Sequence, residues 1–406
     1  MRDHSQAGIT PQRAGLRAIP GGVWALGLVS LCMDLSSELI HGLLPVYLVA
    51  VLGTSMTTVG MIEGVAEATA AITKVFSGAL SDWMGRRKIL VLTGYGLAAL
   101  TKPVFALATS VGWLVAARFV DRIGKGIRGA PRDALIADLS PPELRGASFG
   151  LRQALDTVGA FLGPLAAMGL MWWTANDIPT VFWIAVIPAA LAVLVLLLGV
   201  RDPDPVRAHA PVRAPLSRAE LARLGAPYWW LVAIATLYTL ARFSEAFLIL
   251  KAQASGLGLA LVPAVLVVMN VAYAAAAYPA GALSDRGDRS AVLMTGLVLL
   301  LAADLVLAGS DSLWVIAGGV ALWGIHMGFT QGVLASMVAD VAPAELRGTA
   351  FGMLNLTTGV ALLLASVLAG ALWDLAGAVA TFSTGAALTV AAMLALQLAR
   401  GRIRPR

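Results

Sequence analysis

The sequence has few charged residues and a single cysteine. Charged residues make up 13% of its 406 residues and hydrophobic residues 59%, whereas soluble globular chains contain about 25% charged residues. So few charges do not cover the surface of a soluble protein of this length, and the chain must therefore face lipid. Because Cys32 is the only cysteine, the sequence excludes an intrachain disulfide and a cysteine-cluster metal site.

In place of charge, the chain has long apolar segments along its whole length. Crossing a hydrocarbon core of about 30 Å takes about 20 helical residues, whereas the strands of a membrane barrel are short and alternating. The first segment follows a polar stretch and has acids at its middle, so we expect it to be retained rather than removed as a signal peptide. We predict an all-α polytopic membrane protein of about twelve transmembrane helices, at residues 24–51, 57–80, 88–108, 112–137, 147–171, 178–199, 228–251, 260–282, 291–309, 313–338, 349–372 and 378–398.

The distribution of lysine and arginine predicts the orientation in the membrane. Basic residues occupy alternate short loops, such as residues 86–88, and both ends of the chain, whereas Asp177, Asp311 and Asp374 lie in the opposite loops. Loops rich in lysine and arginine stay in the cytoplasm, so we expect a multi-pass protein of the inner or plasma membrane with both termini cytoplasmic. The net charge of +6 follows from this topology, and we do not expect nucleic-acid binding.

The chain also repeats itself. The sequence GALSD at 78–82 recurs at 281–285, and the Asp, Pro and Glu-Leu-Arg-Gly residues of 138–146 recur in 340–348. Two six-helix halves in parallel repeat place a substrate between them, near the middle of the membrane. We predict a cytoplasmic tail at 1–22, an N-terminal six-helix bundle at 23–200, a cytoplasmic linker at 201–226, a C-terminal six-helix bundle at 227–399 and a basic tail at 400–406.

The loop after the second helix has the sequence GALSDWMGRR at 78–87. With this loop, the repeat and the predicted spans, the sequence resembles the major facilitator superfamily over essentially its whole length. In that superfamily the loop latches the cytoplasmic side closed, which implies the same role here. The second copy departs from the signature, which implies a weaker latch in the second half. The predicted latch residues are Gly78, Asp82, Gly85, Arg86, Arg87, Asp138, Asp285, Arg289 and Asp340.

Two further likenesses concern the direction of transport. Arg118, followed by Gly124 and Gly126, resembles an arginine motif of proton-linked members, and GAFLGP at 159–164 resembles a motif of proton-driven antiporters. A GxxxG pair is also common where membrane helices simply pack. The resemblance implies a secondary active transporter, with proton-coupled antiport that exports drug-like or small organic solutes. The alternative is proton-coupled symport, or import, of an organic anion, a zwitterion or a metal complex.

Ionisable residues inside the predicted spans are the candidate functional groups, since each costs at least about 2.5–3.5 kcal/mol at a helix centre unless it is partnered. Asp34, Glu38 and His41 share one helical face. We predict proton coupling by Asp34, Glu38 and Glu67, with Arg118 as the cation that tunes them. We predict a substrate cavity formed by His41, Glu63, Lys102, Asp121, Arg122, Lys125, Arg152, Asp156, Arg242, Glu245, Asn270, Tyr273, Asp304, His326 and Gln331. That these charges pair only to orient helices stays an alternative.

No cofactor or resident metal is expected. The segment GKGIRG at 124–129 satisfies GxGxxG, but no strand precedes it, so we expect no nucleotide site and a proton gradient as the energy source. The sequence has no pattern of a nucleophile with a neighbouring base, so we do not expect an enzyme. A non-transporting receptor or scaffold is the remaining alternative. We expect a monomer whose partners are a small-molecule substrate, protons and the lipid bilayer. Acids and bases are balanced in the first half, so the sign of the substrate charge stays open.

Overall fold

The computed structural model describes residues 19–84, 86–141, 144–201, 218–343 and 346–402. In the first half the chain forms α1 (Gly21–His41), α2 (Leu44–Val46) with a π-helical turn (Tyr47–Val51), α3 (Met56–Met84), α4 (Arg87–Leu107), α5 (Val111–Leu139), α6 (Arg145–Trp173), α7 (Ile178–Ile184) and α8 (Val186–Gly199). The second half forms α9 (Arg218–Arg223), α10 (Gly225–Ala241), α11 (Ala246–Ala254), a 3-10 turn (Leu259–Leu261), α12 (Ala264–Arg286), α13 (Arg289–Gly309), α14 (Leu313–Val341) and α15 (Arg347–Ala399).

The helices account for about twelve membrane crossings. Among the described residues, nine helical stretches are long and apolar enough to cross a membrane. Helices α3 and α5 are not among the nine because they carry more charged side chains. The stretch Thr349–Ala399 contains two crossings, since α15 breaks at Gly377, where φ is 78°, a value that glycine adopts readily. The predicted all-α fold is thereby confirmed.

Each half of the chain forms its own bundle, and the two bundles meet mainly along two helix pairs. In the first half α1 packs on α6 and α8, and α4 packs on α5; in the second half α14 packs on α12 and α13. Between the halves, α3 lies along α15, and α6 meets α12. The longest contact between the bundles is therefore the one between α3 and α15.

Glycines allow the close approach of α3 and α15. Gly60 lies directly against the backbone of Ser366, and a Cβ on Gly64 would lie 2.8 Å from the Cα of Leu363. Small residues at such contacts let membrane helices pack backbone to backbone. The interface between the halves therefore depends on the absence of side chains at these positions.

An aspartate from the second half caps α3 at the end of the molecule that carries the acidic loops. Asp374 Oδ1 accepts from the Met56 N–H at 2.9 Å, and its Oδ2 accepts from the Thr57 N–H at 2.8 Å and the Thr57 hydroxyl at 2.6 Å. The first N–H groups of a helix lack intrahelical partners, and a carboxylate there is stabilising. The cap therefore ties the two halves together at this end.

The glycine contact between the halves yields a prediction on stability. Gly60→Ala places a methyl group against the Ser366 backbone, and overpacking of this kind costs about 1–3 kcal/mol. We expect a lower unfolding temperature for the purified protein in detergent. The matched control is Gly96→Ala in α4, where a Cβ meets nothing within 4 Å; alanine is the better helix residue there, so stability should be kept or raised. Equal destabilisation by both variants would contradict the close contact.

Candidate functional site

A cavity of about 250 Å³ lies between the two bundles. The first half contributes mostly charged side chains, and the second half contributes the segment 242–245 with apolar and amide side chains from α12 and α15. The lining residues are Glu38, His41, Glu63, Glu67, Arg122, Lys125, Ala160, Arg242, Phe243, Ser244, Glu245, Leu266, Met269, Asn270 and Leu362. Acidic, basic and apolar surfaces thus meet in one space at the junction of the halves.

The wall from the second half includes a break in a membrane helix. Between α10 and α11 the residues 242–245 leave the helical conformation, with Arg242 at φ −103° and ψ 87°. The Ser244 N–H donates to the Ser366 hydroxyl at 3.2 Å, and Arg242 Nη2 donates to Glu245 Oε1 at 3.3 Å. Irregular backbone at membrane depth is tolerated where it is buried in protein or lines a cavity, and this break brings an ion pair to the cavity.

On the opposite wall, His41 lies between two carboxylates. Its Nδ1 is 3.7 Å from Glu38 Oε2 and its Nε2 is 3.5 Å from Glu63 Oε2. Glu63 is 1% exposed and accepts from Arg118 Nη2 at 2.7 Å, whereas Glu38 and His41 are 23% and 17% exposed. Glu38, His41 and Glu63 therefore form a row that runs from the cavity surface, through the imidazole, to a buried ion pair.

A second set of ion pairs lies on α5 and its neighbours. Arg122 Nη1 is 3.1 Å from Glu67 Oε1, at the cavity wall. Lys102 Nζ is 3.0 Å from Asp121 Oδ1, and both side chains are buried. Lys102 and Asp121 thus lie behind the cavity wall rather than on it, where they join α4 to α5.

Lys125 is the cavity cation without a carboxylate partner. It lies one helical turn after Arg122 on α5, its side chain is exposed, and it lines the cavity. No acid of the described residues lies within the 4.0 Å ion-pair distance of its ammonium group. Every carboxylate at the cavity wall, in contrast, lies near a basic group: Glu38 near His41, Glu63 near Arg118, Glu67 near Arg122 and Glu245 near Arg242.

Asp34 lies one turn from Glu38 but outside the cavity lining. Its carboxyl group lies beside that of Asp156 on α6. Asp156 also lies 3.5 Å from Arg152 Nη1 and 3.9 Å from Arg132 Nη1. Asp34, Asp156 and Arg152 therefore form a separate polar cluster between α1 and α6.

The GAFLGP segment at 159–164 packs directly on the acidic face of α1. A Cβ on Gly159 would lie 3.1 Å from the Asp34 Cβ, and one on Gly163 would collide with the Cβ of Glu38. The two glycines of this motif thus allow α6 to pack beneath the two acids that the sequence analysis assigns to proton coupling.

The remaining candidates of the second half lie inside their own bundle, apart from Asn270, which lines the cavity. His326 is fully buried, with Nδ1 3.0 Å from the Gly296 carbonyl and Nε2 3.4 Å from the Tyr238 hydroxyl. Asp304 is fully buried, and neither of its carboxyl oxygens has a hydrogen-bond partner among the described residues. The half-buried Tyr273 and Gln331 do not line the cavity either.

The sequence analysis did not identify the apolar wall, which consists of Phe243, Leu266, Met269 and Leu362. These residues are ordinary for membrane helices, so their types carry no signal. The break at 242–245, in contrast, does have a signal in the sequence, because a run of Arg, Phe, Ser and Glu interrupts an apolar stretch.

At the end that carries the basic loops, each half has an ion pair at the equivalent position of the repeat. Arg87 Nη1 lies 2.7 Å from Asp138 Oδ2, and Arg289, 202 positions later, pairs with Asp340, also 202 positions later. Gly78 lies close to α5, where a Cβ would be 3.3 Å from Ala130, and Arg86 immediately precedes α4. Gly85 and the side chains of Asp82 and Asp285 lie outside the described residues.

The loop between α12 and α13 has a further tie, to the C-terminal end of α15. Asp288 accepts from the Ser290 N–H at 2.9 Å and lies 2.5 Å from Arg400 Nη2. The Arg400 guanidinium, helped by the Ser290 N–H, holds the pKa of the Asp288 carboxyl below its usual range. The second-half loop is thus anchored on both α14 and α15.

Comparison with known proteins identifies the family. The sequence model of the Major Facilitator Superfamily matches residues 26–270 and 246–406. The chain belongs to the major facilitator superfamily. It is a multi-pass membrane transport protein and not an enzyme, as the sequence analysis predicted.

Individual relatives agree with this assignment. An uncharacterized MFS-type transporter of Methanocaldococcus jannaschii is 31% identical over 388 residues, which cover 94% of this chain and 95% of that protein. The class H tetracycline resistance protein of Pasteurella multocida is 26% identical over 294 residues, covering 69% and 71%. Among solved structures, the nucleoside transporter NupG has a TM-score of 0.79 at 14% identity, covering 93% of this chain and 99% of that one. At that identity the likeness concerns the fold alone.

The buried pair of Glu63 and Arg118 yields a prediction on stability. Glu63→Gln leaves the Arg118 charge buried without its partner, and breaking such a pair costs about 3–5 kcal/mol. We expect a clear fall in unfolding temperature, part of which is recovered when Arg118→Met is added. As the control, Glu245→Gln removes a carboxylate from a pair that is about a quarter exposed and should have a smaller effect. A similar loss in both single variants, without recovery in the double variant, would contradict the assignment of Glu63 and Arg118 as a buried pair.

Proposed function

We propose that this superfamily member is a proton-coupled secondary active transporter that binds a small solute in the cavity between its halves. The observation that carries the proposal is the position of His41, which contacts Glu38 at the cavity surface and Glu63 in the buried ion pair. Histidine changes charge between about pH 5 and 8. A proton that enters from the cavity can therefore bind His41, which also contacts the buried ion pair in the interior of the first half.

The hydrogen-bonding capacity of imidazole explains how proton binding changes the site. The protonated ring has two N–H donors, one for Glu38 and one for Glu63, whereas the neutral ring has a single donor. Loss of the proton leaves one carboxylate without its donor and changes the charge of the cavity by one unit. The two protonation states therefore favour different arrangements of α1 and α3, and such a difference shifts a conformational equilibrium.

The contacts at the two ends of the molecule fit alternating access. The Asp374 cap on α3 joins the two halves at one end and must break for the cavity to open there. The pairs of Arg87 with Asp138 and of Arg289 with Asp340 lie at the other end, on the loops that the superfamily resemblance assigns to a latch. We propose that the Asp374 cap breaks as the halves rock about the cavity, and that the two ion pairs, each within one half, hold the loops against which the basic end closes in exchange.

Antiport with export is the first candidate for direction. It is supported by the packing of the GAFLGP segment beneath Asp34 and Glu38, and by the similarity to a protein named for tetracycline resistance. Symport of an organic anion is the second candidate. Lys125 favours it. The four acids of the cavity and the four arginines and lysines at them balance when His41 is neutral, so protonation of His41 leaves one excess positive charge, and Lys125 is the cation without a carboxylate in ion-pair range.

The coupling hypothesis is tested by removing the titratable groups. Glu38→Gln and His41→Gln keep hydrogen bonding but do not carry the proton charge, so we expect them to abolish uphill transport driven by a pH difference. Exchange of solute down its own gradient should persist. The measurement is flux in proteoliposomes, with solutes taken from a screen of tetracyclines and small organic acids.

Two further variants complete this experiment. Asp177→Asn, at an exposed helix cap outside the cavity lining, is the control and should couple normally, because asparagine also caps a helix. Asp34→Asn tests the separate cluster with Asp156. If the Glu38 and His41 double variant still concentrates solute using a pH difference alone, the proton site lies elsewhere, and loss of coupling in Asp34→Asn would assign it to the Asp34 cluster.

The latch hypothesis predicts a separate effect on rate. Arg87→Gln or Arg289→Gln should slow transport because the basic end closes less firmly, and the double variant should be slower than either. Solute binding in detergent should be nearly unchanged, since both residues lie outside the cavity. Arg201→Gln removes an exposed arginine from the same end and serves as the control. Full transport rate with lost binding in the Arg87 and Arg289 variants would contradict a latch.

A further inference from the structure

We propose that the cavity binds a small organic monoanion, with the carboxylate of the ligand on Lys125 and its apolar body on the wall of the second half. The inference deepens the proposed transport function and rests on it. It is based on the charged residues of the cavity. In the sequence the acids and bases of the first half are balanced, and the structure shows which of them form pairs.

Three of the four acids of the cavity are matched by arginines, and the fourth, Glu38, lies 3.7 Å from His41. Glu63 and Glu67 lie 2.7 and 3.1 Å from the guanidinium groups of Arg118 and Arg122, and Glu245 lies 3.3 Å from that of Arg242. A cationic ligand that bound these acids would have to displace an arginine that is held inside the membrane, leaving that arginine without a partner. With His41 protonated, the acids therefore do not offer a ready site for a cation.

Lys125, in contrast, offers a site for an anion. Its ammonium group faces the cavity with no carboxylate of the described residues in ion-pair range. An unpaired charge at membrane depth is costly and finds its partner in another group or in a ligand. Arg122, one turn away on the same face of α5, adds positive potential at the same wall. A single carboxylate is the ligand group that completes this arrangement.

The second half supplies the surface for the rest of the ligand. Phe243, Leu266, Met269 and Leu362 form an apolar patch, and Asn270 adds one amide. A bare inorganic anion has no body to cover this patch. The volume of about 250 Å³ lies below the range of about 300–1,000 Å³ that holds drug-sized ligands. The ligand is therefore small, and it touches both halves at once.

The test uses matched probes that differ only in charge. Benzoate, benzamide and benzylamine share a ring, and hexanoate, hexanamide and hexylamine provide an unbranched series. The full chain, purified in detergent, is titrated with each compound while its unfolding temperature is recorded. We expect saturable stabilisation by a carboxylate, at least a tenfold weaker effect of the matching amide, and none from sulfate.

Variants at two lysines assign the effect to the site. Lys125→Gln should weaken carboxylate binding at least tenfold, whereas Lys74→Gln, which removes an exposed lysine outside the cavity lining, should leave it unchanged. Lys125→Glu should reverse the preference, so that the amines stabilise the protein instead. This reversal also shows that the variant is folded and still binds ligands.

Several results would overturn the inference. They are stabilisation of the unaltered protein by the amines, an equal effect of sulfate, carboxylate binding that survives Lys125→Gln, or no stabilisation by either carboxylate. These outcomes are separate from the failure of proton coupling, because binding is measured without a pH gradient. If the protein binds benzoate through Lys125 but shows no transport driven by a pH gradient, proton coupling is refuted and this inference stands.

Discussion

The need to partner every charge inside the membrane governs the arrangement of this protein. Glu63 and Arg118 are both nearly fully buried and 2.7 Å apart, and each would be strongly unfavourable in a bilayer alone. Their pairing fixes α3 against α5. With α3 and α5 held in this way, His41 on α1 reaches Glu63, and the face of α5 that carries Arg122 and Lys125 turns toward the second half.

The small residues of the bundle serve the same arrangement. Gly163 lets α6 approach Glu38, and Gly60 lets α3 approach the second half at Ser366. Ser366 in turn accepts from the backbone of Ser244 in the break between α10 and α11. The packing between the halves and the support of the broken helix therefore meet at one serine, close to the cavity.

The two repeats differ in where their charged residues lie. Both keep an arginine and an aspartate at the basic end, Arg87 with Asp138 and Arg289 with Asp340. Inside the membrane the first half has several ion pairs, whereas the second half has one at the cavity, Arg242 with Glu245, a fully buried His326 held by its own bundle and an apolar wall. The first half thus provides most of the ionisable groups and the second half provides the apolar surface, which is a division suited to a site that must recognise a solute and also respond to a proton.

The sequence by itself determined the membrane location, the helical class, the number of crossings and the two-fold repeat. Each of these follows from local composition or from an offset along the chain, because about 20 apolar residues span a bilayer wherever they occur. The spacing of Glu38 and His41 also placed both on one face of α1. The tertiary structure alone decided which charged residues reach the cavity. Helical periodicity fixes the angle between residues on one helix, but the packing of neighbours fixes how that helix is rotated, so Lys102 lies behind the wall while Lys125 lies on it.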